Sequence, residues 1–320
     1  MVGTLTLTRK VRNFKNMGTI ISTVNMKGGV GKTTLTVNLA TCLAKKHGKR
    51  VLVLDLDSQI SATLSMISPH DFAKLRKKKH TLSYLLDNVI QPNPWSKMNI
   101  DDIIVPNVCG IHGLELLPGD IELYDEYQVS EMLHQRAVDN DEQEFQKVWD
   151  DFERVLIQQI LEPVVDYYDY IILDCAPGYN LLTRSGIAAS NFYLLPARPE
   201  PLSLVGIQLL ERRIAKLRKS HADTQPVNVN LLGIVFILSA GGLMGRYYKQ
   251  VMKRVQDDFV PEQLFNQSIP MDVNVAKAVD LFTPVSLAMP NSGGSKAFMK
   301  LSDELLAKTS VKEPELVAAT

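Results

Sequence analysis

The chain has little cysteine: Cys42, Cys109 and Cys175 are its only three, and no two of them form a CxxC pair. That spacing argues against a disulfide framework or a zinc site, and it fits small buried hydrophobes in a reducing compartment. Long apolar runs are also missing. No stretch approaches the ~18 consecutive apolar residues of a membrane span. Residues 1–17 lack the apolar centre of a secretory leader. They carry Arg9, Lys10, Arg12 and Lys15 and no acid, and read as a solvated extension able to touch phosphates. An excess of one charge is absent too, since Lys+Arg and Asp+Glu are each 35 and the formal net charge is zero. A neutral total gives no support for a histone-like coat on DNA, so any nucleic-acid contact needs a local patch or a dimer face. There is no internal repeat and no low-complexity segment.

What is present is a large core-forming fraction, 45% apolar over 320 residues, enough for one α/β domain with insertions. Thr19 to Val24 is short, β-branched and apolar, and reads as a buried strand. Lys27 to Gly31 is glycine-rich. Lys32 to Lys46 has helical spacing, with Leu35, Leu39, Cys42 and Leu43 on one face, and His47-Gly48 ends it. Arg50 to Asp55 is another buried strand. Strand, helix, strand in that order opens a parallel sheet. Gly113–Leu117, Tyr170–Asp174, Asn191–Leu195 and Leu231–Leu238 read as later strands. Leu202–Lys219 and Tyr247–Phe259 read as helices. The expected fold is α/β, a doubly wound and mostly parallel sheet with helices on both faces. A basic stretch, Asp71 to His80, and an acidic one, Asp139 to Glu153, read as solvated insertions.

Residues 25–34 are Asn-Met-Lys-Gly-Gly-Val-Gly-Lys-Thr-Thr. The strict phosphate-loop pattern fails at one position, where Met26 replaces a glycine, but the physics is intact. Gly28, Gly29 and Gly31 let backbone N–H groups, including that of Val30, point inward at phosphate oxygens. The helix that follows offers its positive end to the same anion. Lys32 reaches the β and γ phosphates, the Thr33 hydroxyl can ligate Mg²⁺, and Thr34 adds a donor near the α phosphate. Residues 51–59 end an apolar strand in Asp55 and Asp57, alternate residues expected on one face beside the phosphates. Two acids beside phosphates need a Mg²⁺ ion or a water between them, and Asp57 is the residue chosen to orient the attacking water. The run Tyr170-Ile-Ile-Leu-Asp174 has the Walker B form, so Asp174 is expected to hold Mg²⁺ through water. The metal set is therefore Thr33, Asp57 and Asp174, with ATP and Mg²⁺ as cofactors.

The NxKGGVGKTT string resembles the deviant Walker A of the ParA/MinD family of P-loop ATPases, of SIMIBI-like architecture. Asp55 to Gln59 is similar to that family's DxDPQ box, with Ser58 in the proline position. Ser61 to Ser65 continues the ParA-like pattern. Pro196 to Leu204, Phe265 to Pro270 with Pro284-Val285, and Ser292 to Phe298 are similar to later family segments, so the resemblance covers Gly18 to about Lys308. It implies that Lys27 crosses a dimer interface to the partner's ATP, making Lys27, Lys32 and Asp57 the catalytic set. It also implies an ATP-dependent homodimer that binds double-stranded DNA without sequence preference, a ParB-like activator, and a cytoplasmic, nucleoid-associated place. Pro270 and Asp272 become adenine-site candidates. The late helix pair, Arg246, Lys249, Lys253 and Arg254 with Lys296 and Lys300, becomes the DNA-binding candidate, and Arg212, Arg213, Lys216, Arg218 and Lys219 form a further basic cluster. The expected organisation is a basic extension over 1–17, one ATPase domain over 18–308 with a helical insert near 135–152, and a flexible tail over 309–320. The C-terminal residues, with Pro314 and two acids, do not suit an anionic bilayer, so no membrane partner is expected. Cargo stays open between DNA (plasmid or chromosome) and a protein assembly. A metabolic P-loop ligase or kinase is the reading from another class.

Overall fold

The computed structural model of the chain describes residues 18–92, 98–139, 144–222, 225–239, 253 and 259–317, with the backbone alone at 201, 202, 204, 238, 239 and 311–317. The first βαβ unit is β1 (Thr19–Thr23), α1 (Lys32–His47) and β2 (Val51–Leu56). Then come α2 (Ser61–Leu64), α3 (Pro69–Lys77), α4 (Leu82–Ile90), α5 (Ile100–Ile103) and β3 (Leu114–Leu117). Two long helices follow, α6 (Glu126–Asp139) and α7 (Phe145–Leu161), before β4 (Tyr170–Cys175) and α8 (Leu181–Ala188). The last part holds β5 (Phe192–Ala197), α9 (Pro201–Ser220), β6 (Asn230–Ser239), β7 (Ile269–Pro270), α10 (Val273–Asp280), α11 (Val285–Ala288) and α12 (Gly293–Val317).

The strands form one seven-stranded sheet in the order β3-β2-β4-β1-β5-β6-β7. Every strand pairing in it is parallel. Parallel neighbours need crossover connections, and helices supply them on both faces. The strands are accordingly apolar throughout rather than alternating. Leu52, Leu54 and Leu56 of β2 face a core completed by α4, α6, α7 and α8, while Val51 and Val53 face one completed by α1 and α12. The chain runs from β1 to one side through α1 and β2, and later from β4 back across β1 to β5. Loops at the carboxyl end of β1 thus open into the crevice where such sheets bind ligands.

Some boundaries differ from the sequence reading. The acidic stretch spans the end of α6 and most of α7's first half. Val148, Phe152, Leu156 and Ile160 of α7 are buried in the core against α8, so this segment is a layer of the fold rather than a solvated appendage. α12 runs on to Val317, past residue 309, where a flexible tail was expected. The expected helix over 247–259 lies outside the described residues apart from Lys253, which is helical, and Phe259, which is not. The basic extension over 1–17 also lies outside them.

Candidate functional site

The loop after β1 is anchored before it turns. Asn25 donates through Nδ2 to the Pro196 carbonyl of β5 (2.8 Å) and accepts the Lys27 amide at Oδ1 (2.9 Å). Gly31 has φ 89°, a left-handed conformation that a side chain would strain, and a Cβ there would sit 3.1 Å from Ile237. Gly31 therefore lets the loop lie close on β6. α1 starts with no side-chain cap and no acid in its first turn, so its first amides and its positive end are open to an anion. Gly28 and Gly29 are exposed and Val30 is buried. Lys32, 6% exposed, reaches back over the loop to the Lys27 carbonyl (3.1 Å). Burial pulls its ammonium below the usual lysine range, against the opposing fields of Asp174, Cys175 and Asp57.

The two aspartate strands meet beneath this loop. The Thr33 hydroxyl donates to Asp174 Oδ2 (2.7 Å) and the Thr36 hydroxyl to Asp174 Oδ1 (3.1 Å). The register of β2 on β4 sets Asp55 beside Asp174. Both are fully buried, and burial raises both carboxyls, with the Asp55 charge adding to the rise at Asp174 and the Thr63 bonds opposing it at Asp55. Thr23 Oγ1, buried at the end of β1 and in register with Asp174, has no hydrogen-bond partner among the described residues. Asp174, held by two hydroxyls, with Lys32 nearby and the unpaired Thr23 hydroxyl in register with it, fits a divalent cation with its waters. Asp57 is half-buried just past the strand, its Oδ1 accepting the Gln59 amide (3.0 Å).

One expectation is corrected here. Asp55 does not share an open face with Asp57, since it is fully buried where Asp57 is half-buried. Its carboxylate is taken up by the Thr63 amide and hydroxyl (both 2.8 Å) and by the Asp57 amide (3.2 Å). The reason is that β2 ends at Leu56, so the alternation of a strand does not extend to Asp57. The turn that follows carries Ile60 at φ 48°, ψ 31°. A β-branched residue in that region costs roughly 1–3 kcal/mol, held by the surrounding structure.

Lys27 is exposed at the loop tip, and its ammonium pairs with Glu200 Oε2 (2.9 Å) at the start of α9. Arg198 Nε stands 3.7 Å from the other Glu200 oxygen. Glu200 was not singled out from sequence, although it sits inside one of the stretches that carry the resemblance. Pro270 and Asp272 lie elsewhere along the sheet, on β7 and the turn after it. Asp272 is occupied as a cap: Oδ1 accepts the Asn274 amide (2.9 Å) and Oδ2 the Gly294 amide at the start of α12 (2.8 Å).

Among the basic candidates, Lys296 and Lys300 are exposed on α12 and Lys253 is exposed. Arg246, Lys249 and Arg254 lie outside the described residues. Arg212, Lys216 and Lys219 are exposed on α9, but Arg218 donates to the Val229 carbonyl and Arg213 covers the Tyr179 ring at 5.2 Å. No helix of the described residues is long and apolar enough to cross a membrane.

A sequence model of a family described as an AAA domain matches residues 18–227. The sporulation initiation inhibitor protein Soj of Bacillus subtilis is 30% identical over 91% of this chain and 99% of its own length. The chain belongs to the ParA/MinD family of P-loop ATPases. Solved structures agree on the fold. Cobyrinic acid a,c-diamide synthase from Mycobacterium smegmatis, with a bound ATP analog and magnesium, superposes with a TM-score of 0.67 at 23% identity, covering 90% of this chain and 94% of that one. A complex of ATP with Cyanothece McdA also gives 0.67, at 17% identity, over 92% of this chain and 98% of that one. Within that family's fold, Thr33 bonds Asp174, Lys32 lies in the fields of Asp174 and Asp57, and Lys27 pairs with Glu200, while Pro270 and Asp272 belong to β7 and the turn after it.

Proposed function

We propose that this protein is an ATP-driven dimerising switch that binds DNA without sequence preference and partitions or spaces a DNA cargo. A ParB-like partner stimulates its hydrolysis of ATP to ADP and phosphate. The observation that carries this reading is the pairing of a complete phosphate cradle with a second, exposed lysine on the same loop. Lys32, Thr33 and the open start of α1 suffice to hold one nucleotide in one protomer. Lys27 is exposed at the loop tip and pairs only with Glu200 there, which supports a role on a nucleotide held by a second protomer.

In this reading the amides of Gly28 to Thr34 and the Lys32 ammonium hold the phosphates and neutralise them as charge develops. Thr33, Asp174 and Asp57 would hold Mg²⁺, which when bound supplies further neutralisation of the β and γ phosphates. Asp57 orients the water whose oxygen forms the new bond to phosphorus as the bond to ADP breaks. Slow turnover without a partner is expected, since positioning is most of what the site can supply. Pro270 is proposed for the adenine edge, with the Asp272 backbone rather than its occupied carboxylate. Lys296 and Lys300, with the basic residues of 246–254, are proposed to meet DNA phosphates in the dimer. A cytoplasmic, nucleoid-associated place follows from DNA as the matrix.

Binding to random-sequence duplex DNA, with ATP, with ADP and without nucleotide across a salt series, tests the proposal. Binding that needs ATP and weakens steeply with salt is expected, because neutralised phosphates release counterions. No DNA binding in any state, with phosphate transferred to a small acid, would favour the metabolic reading. No DNA binding with ATP-dependent dimers intact would remove DNA as the matrix, whatever the cargo.

A further inference from the structure

We propose that Thr63, acting with the buried carboxylate of Asp55, is a positioning residue that sets Asp57 for hydrolysis. The inference rests on the reading that Asp57 orients the attacking water. Its basis is a closed loop in the chain. The segment from Asp57 to Thr63 leaves and returns to the same carboxylate: Asp55 Oδ1 accepts the Asp57 amide (3.2 Å), and Asp55 Oδ2 accepts both the Thr63 amide and its hydroxyl (2.8 Å each). The Thr63 hydroxyl in turn accepts the Gly119 amide (3.0 Å), which ties the loop to the chain just after β3. Gly119 comes so close that a Cβ there would lie 2.9 Å from the Asp55 carbonyl. Inside the loop, the Ile60 amide donates to the Asp57 carbonyl (2.8 Å), and Ile60 holds its left-handed conformation with its side chain buried.

Each tie fixes the backbone that carries Asp57, and none uses the Asp57 carboxylate itself. Oδ1 of Asp57 accepts the Gln59 amide of the same turn, so the acid is held by its backbone while its second oxygen has no hydrogen-bond partner among the described residues. That is the arrangement a water-orienting carboxylate needs: fixed in place and still able to accept a hydrogen bond. The strained turn is kept where it is by a carboxylate and a hydroxyl engaged with each other and with backbone amides.

The test is Mg·ATP hydrolysis and nucleotide affinity for the full chain and for Thr63→Val, Thr63→Ser, Ile60→Gly and Asp57→Ala. Thr63→Val keeps the shape and removes the hydroxyl. It is expected to lower kcat about 10- to 100-fold, the scale of a small misplacement of a reacting group, with nucleotide affinity within about twofold. Thr63→Ser, which restores the hydroxyl, is expected to recover most of that loss. Ile60→Gly keeps the hydrogen bonds and frees the turn, so it should lower kcat in the same direction without weakening nucleotide binding. It carries the test if Thr63→Val does not fold. Full activity in both Thr63→Val and Ile60→Gly, with Asp57→Ala inactive, overturns this proposal and leaves the role of Asp57 standing. Equal losses in Thr63→Val and Thr63→Ser, or weakened nucleotide binding in either, would make Thr63 a folding residue and overturn it as well. An active Asp57→Ala would instead remove the reading on which it rests.

Discussion

At the scale of single residues, the site divides into side chains that a motif reveals and side chains that only a contact reveals. Lys32, Thr33 and Asp174 belong to the first kind. Phosphate chemistry needs those types at those spacings, and the Thr33–Asp174 bond of 2.7 Å confirms that the two strings meet. Lys32 bears the sharper prediction. It is 6% exposed and held below its ordinary range by burial, so it is desolvated for a partner of opposite charge. Lys32→Ala should lower ATP affinity by about 100-fold or more, the cost of leaving a buried phosphate charge unmatched. Titration with a fluorescent ATP analogue checks it, and retained affinity would mean that the loop amides alone hold the nucleotide. The roles of Asp55 and Thr63 were not legible. Their partners come from β2, α2 and the turn after β3, and no local pattern announces a bond between residues that far apart in sequence.

At the scale of elements, the buried strands and α1 were legible because parallel strands covered on both faces read as continuous apolar runs. The acidic stretch misled for a physical reason. α7 buries one stripe and solvates the other, and its acids, Asp150 and Asp151 among them, dominate the composition while Val148, Phe152 and Leu156 decide the packing. The end of α9 offers a test of an element held by a neutral group. His221 stands at its C-cap, buried, and neither ring nitrogen has a hydrogen-bond partner among the described residues. Burial lowers its pKa from the usual 6.5, with Arg154 acting the same way and Asp150 and Asp151 opposing. A group whose folded pKa is depressed contributes stability that is complete above its unfolded value and is lost as pH falls through the folded one. The native protein should therefore lose melting temperature from pH 7 towards pH 5, and His221→Phe should make that loss smaller by removing the proton uptake. Equal slopes for the two proteins would show that the ring is already solvated in the native state.

At the scale of the whole molecule, the question is what an exposed lysine does on a loop that another lysine already serves. Lys27 and Glu200 pair at 2.9 Å, but both side chains are open to water, 47% and 34% exposed. Pairs of that kind contribute about 0–1 kcal/mol, so the contact is easily exchanged for a stronger one. A γ phosphate presented by a second protomer would be such a partner, a concentrated charge at a surface that dimerisation dehydrates. In the proposed reading, nucleotide binding within one protomer rests on Lys32, Thr33 and the start of α1, and none of their hydrogen bonds uses the Lys27 side chain. Lys27→Ala should therefore bind ATP with an affinity within about threefold of the parent and yet stay a monomer, where the parent is expected to dimerise. Light scattering on size exclusion with ATP, in an Asp57→Ala background that slows turnover, separates the two states. An ATP-dependent dimer of unchanged stability in Lys27→Ala would remove the trans role. Loss of ATP binding as well would place Lys27 in its own protomer's cradle, and the molecule would then be a switch closed by one chain.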